Sequence, residues 1–166
     1  MVKTSNFEIV PLEPHHILTM KPRAMERAVF DIAGDLETFA ARLAAPGMAY
    51  AALDGAEVVG CAGIAPMHPG VGEAWSLLSE RLQPDKPDRA WAVVRRAMRR
   101  GIDAAFDIGY HRVQATISTN FKHADAWMRG LGLTPDSTPD SNGHLMAQYG
   151  ADRSDHWMYS RTRDKD

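Results

Sequence analysis

The apolar positions of this chain change their period several times, and each change marks an element. Phe7 to Pro11 is short and extended, with Ile9 and Val10 favouring a strand. From Pro22 the period becomes helical. Pro22 suits a first turn, Met25, Val29 and Ile32 fall on one face, and Gly34 stops the run. Asp35 then caps a second helix, with Leu36, Phe39, Ala40 and Leu43 along one face and Pro46-Gly47 ending it. Two apolar runs flank Asp54-Gly55, a strong hairpin signal, so residues 48–53 and 56–66 are expected to pair antiparallel. His68 to Gly72 is a second turn, and Glu73 to Ser79 returns as a third strand. Residues 79–88 are polar and contain Pro84 and Pro87, so they read as a loop.

The longest helix starts at Lys86 or Asp88 and ends near Gly109. Trp91, Val94, Met98, Ile102 and Ala105 recur at spacings of three and four, which marks its buried face. His111 to Ser118 alternates Val113, Ala115 and Ile117 and is a strand. Phe121 to Gly130 is a shorter helix, stopped by Gly130 and Gly132. Residues 137–143 are a loop, and the segments HLMAQY and HWMYSR close the chain as two strands. The order β-α-α-β-β-β-α-β-α-β-β predicts an α/β fold with a mixed central sheet and helices on both faces.

Composition changes this picture little. A chain of 166 residues suffices for one domain, 1–166, without disulfides or metals. A net charge of −2 supplies no global attraction to nucleic acid or an anionic membrane. One cysteine, Cys61 within VVGCAGI, fits a reducing compartment and a small buried hydrophobe. The opening MVKTSNFEIV lacks the apolar core of a secretory signal, and no run approaches the roughly 20 apolar residues of a membrane span. The expected location is the cytosol. The histidines, including the adjacent pair His15-His16, show no metal-ligand spacing, and that pair is expected at the surface.

Three sets of residues carry candidate chemistry. Where residues 79–89 lead from a strand into the long helix, free backbone N–H groups form an anion site, and Arg81, Lys86 and Arg89 add positive charge. A pyrophosphate fits such a junction; surface charges on an exposed loop explain it equally well. Arg95, Arg96, Arg99 and Arg100 lie on the long helix away from Trp91, Val94 and Met98. They form a solvated face, or a contact for a phosphate or a nucleic-acid backbone. Glu73 shares a strand face with Trp75 and is the candidate general base, with an exposed strand-end glutamate as the plainer reading.

The strand–helix–glycine frame from His111 to Leu133, HRVQATISTNFKHADAWMRGLGL, resembles the second half of an acyl-CoA N-acyltransferase of the GNAT family. The element order resembles that family over nearly the whole chain. The resemblance implies acetyl-CoA as co-substrate, held in a cleft between the strands Glu73–Ser79 and His111–Ser118. It also implies an amine acceptor, either a small molecule or a protein. Backbone N–H groups near Leu77 and Leu78 would polarise the thioester carbonyl, and Glu73 or a water would deprotonate the amine. Arg81, Lys86, Arg89 and Asn120 would contact the cofactor. The family's Gln/Arg-x-x-Gly-x-Gly/Ala loop corresponds to QPDKPDRAW, with no glycine between Gly72 and Gly101. In the pattern Asn-x-x-Ala-x-x-x-Tyr-x-x-x-Gly-Phe, Ala124 holds the alanine position and Met128 the tyrosine position, while Phe121 stands at the asparagine, one after Asn120. Tyr149 on a late strand is the substitute for the thiol-protonating tyrosine. The variant helix and the closing MAQYGADRSDHWMYSR are similar to a phage-encoded GNAT-like subgroup. That similarity implies the alternative of a non-catalytic virion or interaction protein without the cofactor loop.

Overall fold

The computed structural model describes residues 6–45, 47–83, 85, 87–136 and 144–163. Among the described residues the elements follow in the order β1 (Phe7–Pro11), α1 (Pro14–Thr19), α2 (Ala24–Ile32), α3 (Leu36–Ala44), β2 (Ala49–Asp54), β3 (Glu57–His68), β4 (Val71–Leu78), α4 (Arg89–Asp107), β5 (Arg112–Ser118), α5 (Ala124–Gly130), β6 (Thr134–Pro135), β7 (His144–Met146) and β8 (His156–Thr162). Strand pairing runs β1-β2-β3-β4-β5-β8-β6, with β7 also on β8, and makes a mixed eight-stranded sheet. The α/β order matches the expected one with two additions, α1 and β6. Both are too short to leave a periodic signature.

The chain divides into two compact units. One takes the chain up to Gly63 together with Trp75–Met98; the other takes Ile64–Ala74 together with the chain from Arg99 onward. In the first, β1 pairs antiparallel with β2 and β2 with β3, the latter closing at Asp54↔Glu57 so that Gly55 and Ala56 form the turn. Its core gathers Leu12, Ile17, Met20, Ala40, Ala51, Val58, Cys61 and Leu77, with Phe30, Phe39 and Trp75 packed against it. Cys61 is a core residue as expected, and burial pushes its thiol up to about 12, so it stays protonated and inert.

Two local expectations need correction. Helix α2 does not bury Met25 and Ile32, which are 42% and 64% exposed. It buries Glu26 beside Val29 and Phe30, because Arg23 chelates the Glu26 carboxylate with Nε at 3.1 Å and neutralises it. Pro22 accordingly precedes the helix in an extended bridge to Ser79. His16 is buried rather than exposed. Its Nδ1 accepts the Glu13 N–H at 3.0 Å and closes the first turn of α1.

In the second unit, α4 contributes Ile102, Ala105 and Phe106 to the buried set, along with Val113 and Ala115 of β5 and Trp127 and Met128 of α5. Helix α5 runs through Gly130 with Leu131 as its C-cap, and the left-handed residue that stops it is Gly132, at φ +83. Residues 137–143, read from the sequence as a loop, lie outside the described residues.

Candidate active site

The second unit places its chemistry at the end of a parallel strand ladder. Gly70 turns the chain at φ +77, and its carbonyl accepts from both His111 N–H and Arg112 N–H, which fixes where β4 and β5 start. The two strands then pair for three residues: Val71↔Arg112, Gly72↔Val113 and Glu73↔Gln114. All seven residues of β5 meanwhile pair on the other edge with β8, from Arg112↔Thr162 to Ser118↔His156. Gly72 is required by space, since a Cβ there would lie 2.5 Å from Ile64 Cγ2 and 2.8 Å from Tyr110 Cε1. Glu73, half-buried, is the last residue of the parallel ladder.

At that point the loop between β7 and β8 brings in Tyr149, whose hydroxyl donates to Glu73 Oε1 at 3.3 Å. The two proposed catalytic residues, 76 positions apart, therefore meet. The loop is shaped by its own backbone. Gln148 takes φ 50 and donates its N–H to Asp155 Oδ1 at 2.9 Å, Gly150 N–H reaches Ser154 O, and Arg153 at φ 61 returns its N–H to Gly150 O. Tyr149 packs beside His156, with ring centroids 5.7 Å apart. Burial, then the Glu73 charge and the hydrogen bond to it, raise the Tyr149 hydroxyl above the ordinary tyrosine range. Burial holds His156 below the ordinary histidine value, against the opposing charge of Asp152. The phenol is thus a protonated donor and the imidazole is neutral at neutral pH.

The cofactor-side candidates divide differently. Leu77, Leu78, Arg81 and Arg89 belong to the first unit, Asn120 to the second, and Lys86 lies outside the described residues. Ser79 donates its N–H to Val59 O on β3, so Leu77 also directs its peptide groups toward β3, and Leu78 and Glu80 direct theirs to the opposite edge. On that edge Arg23 N–H donates to Leu78 O at 3.0 Å, and Glu80 N–H donates to Lys21 O at 2.8 Å. A strap of Lys21 to Arg23 therefore pairs with the end of β4. Arg81 is engaged by Asp54 at 2.5 Å and by Glu57 at 3.3 Å. Arg89 is exposed and lies 5.9 Å over the Phe7 ring. Asp88 Oδ1 accepts the Trp91 N–H at 3.0 Å, so a carboxylate of the chain itself caps the first turn of α4. Asn120 is exposed, and its N–H donates to Ser118 Oγ at 3.2 Å. Met128, at the tyrosine position of the helix pattern, is buried. Arg95, Arg96, Arg99 and Arg100 are all exposed on α4.

Compared with solved structures, the chain matches Ard1 from Thermoplasma volcanium at a TM-score of 0.70 and 14% identity, covering 96% of this chain and 99% of that one. It matches yncA from Salmonella typhimurium, solved with its cofactor acetyl-CoA, at 0.66 and 17%, with 96% and 95% covered. A GNAT-family acetyltransferase from Bacillus anthracis matches at 0.62 and 11%, with 96% of each chain covered. The chain has the GNAT fold. No family model and no curated protein matches the sequence. The fold likeness spans nearly the whole chain, so the expected architecture stands, while identities this low leave the chemistry to the residues themselves.

Sequence reasoning missed His156, Thr116 and the Asp152–Ser154 turn around Tyr149. In the sequence His156 shows no metal-ligand spacing, and among the described residues no His, Cys, Asp and Glu group of three or more is placed to hold a metal ion. A Ser and two Asp residues in DRSD, next to an aromatic strand, were the available signal for a structured loop. Among the described residues no helix is long and apolar enough to cross a membrane.

Proposed function

We propose that this protein is an acyl-CoA-dependent N-acyltransferase, with acetyl transfer to an amine as its reaction. The observation that carries this reading is the Tyr149–Glu73 hydrogen bond at the last pair of the β4–β5 ladder. A carboxylate and a protonated phenol there supply the acceptor and the donor that amide formation from a thioester needs. Acetyl-CoA supplies the acyl group on its thioester. Glu73 takes the proton lost by the amine as its N–C bond forms and the C–S bond breaks. Tyr149 gives its hydroxyl proton to the departing sulfur and regains one from Glu73 through their shared hydrogen bond. One proton has then moved from amine to thiol, and both side chains are as they began.

The described residues fit the acyl end of the co-substrate better than its diphosphate. In the first unit Arg81 is engaged by two carboxylates and Asp88 already caps α4. Those same facts, with the Lys21–Arg23 strap, favour a second reading: a GNAT-fold interaction protein without catalysis, such as a phage virion component. Release of free thiol from acetyl-CoA, assayed over a panel of small primary amines and peptide N-termini, separates the two. The enzyme reading expects acceptor-dependent release, lowered about 10²- to 10⁴-fold in Glu73→Gln. Release that Glu73→Gln leaves intact would remove Glu73 from the reaction.

A further inference from the structure

Tyr149 stands on a loop and is 47% exposed, so its own burial does not fix where the hydroxyl points. His156 is held far more firmly. It opens β8, pairs with Ser118 of β5 on one side and Met146 of β7 on the other, and its Nδ1 lies 3.3 Å from Thr116 Oγ1. The loop closes down onto this ring at Gly150, where a Cβ would lie 2.7 Å from His156 Nε2, 2.6 Å from Ser154 Oγ and 2.7 Å from Asp152 Oδ1. A side chain at this position would oblige those three groups to shift, the anchored imidazole among them. Ser154 then ties the loop to β5 by donating to Asp152 Oδ1 at 2.6 Å while accepting from Ser118 Oγ at 3.2 Å. The flank of Tyr149 leans on the imidazole at an interplanar angle of 57°.

We infer that His156 is the positioning residue of this site: a ring anchored between two strands against which the loop sets the Tyr149 hydroxyl on Glu73. The inference rests on reading Tyr149 and Glu73 as the acyl-transfer pair. His156 makes no contact with Glu73 and acts only through Tyr149. Its hydrogen bond to Thr116 fixes the ring, and the tilted ring contact sets the phenol. The charged groups around the pair are Glu73 beyond the phenol and Asp152 beside the imidazole.

The test compares His156→Ala, His156→Gln and Gly150→Ala by two independent readouts. The first is kcat and KM with acetyl-CoA; the second is the ionisation of Tyr149, followed by NMR on ring-labelled tyrosine. His156→Ala is expected to lower kcat by about tenfold to a hundredfold at little cost in KM, the size of effect that a small misplacement of a reacting group produces. It also returns Tyr149 toward ordinary tyrosine ionisation, because the phenol leaves Glu73. His156→Gln, which keeps the bond to Thr116, restores part of both, and Gly150→Ala reproduces the loss with the imidazole intact. Tyr149 ionisation unchanged in His156→Ala and in Gly150→Ala overturns the inference. A shifted Tyr149 in a protein that releases no thiol from acetyl-CoA supports the positioning role and rejects the acyl-transfer reading, so the two failures are distinguishable.

Discussion

Two histidines in this chain, His16 buried and His156 half-buried, are kept neutral by their surroundings, and both sit where structure depends on them. His16 accepts the Glu13 N–H into the first turn of α1; burial and the neighbouring His15 lower its proton affinity, against Glu13. His156 is lowered by burial, against Asp152. For such groups the unfolded chain binds more protons than the folded one between the folded pKa and the ordinary value of 6.5. Their contribution is therefore complete above that value and is lost as pH falls below it toward the folded pKa. Denaturant midpoints are expected to fall steadily as pH drops below about 6.5, and His16→Gln, which keeps an acceptor but does not titrate, should flatten that slope. A midpoint that rises on acidification in the same range would contradict the assignment. Residue identity revealed part of this site. Glu73 and Tyr149 were legible only as separate candidates through the family resemblance, and Tyr149, expected on a strand, lies on the loop after β7, which ends at Met146. Their mutual contact was not legible, since it depends on a loop whose conformation is set by Gly150, Asp152 and Ser154 rather than by any periodic signal.

At the scale of the element, long periodic segments were read correctly and short ones were not. Helix α4 buries Trp91, Val94, Ile102 and Ala105, as its spacing required, because nineteen residues average over any single exception. Helix α2 has only nine residues, and one salt bridge decides its face: Arg23 lets Glu26 go inside, which turns Met25 and Ile32 outward. The two-residue strand β6 exists only through its pairing with Ser160 and Tyr159 of β8. The junction before α4 was read as a ready anion site; Asp88 occupies its first turn instead, a competition between side chain and ligand that spacing alone does not decide. Strand β4 offers the sharpest test of packing near the site. Gly72→Ala places a methyl group 2.5 Å from Ile64 Cγ2 and 2.8 Å from the Tyr110 ring, so it should destabilise the protein by about 1–3 kcal/mol through overpacking beside Glu73. Chemical denaturation would show this as a lower midpoint, and an unchanged midpoint would mean that β4 has room to shift.

For the molecule as a whole, the fold and the chemistry have different standing. Alternating strands and helices, joined by glycine turns at Gly55, Gly70 and Gly132, specify the GNAT architecture even with 11–17% identity to its members. Co-substrate binding depends on a few donors, and here the Arg81 guanidinium and the Trp91 N–H already have acceptors within the chain. Binding of acetyl-CoA is thus the claim on which the acyltransferase account stands. The direct measurement is thermal unfolding of the intact protein with and without acetyl-CoA. At a ligand concentration a hundred times Kd, binding to the folded state adds about 2.7 kcal/mol, which for a chain of this size raises Tm by roughly 5–10 °C. The account predicts that rise, growing with acetyl-CoA concentration. A Tm unmoved at millimolar acetyl-CoA would contradict it and leave the non-catalytic reading in its place.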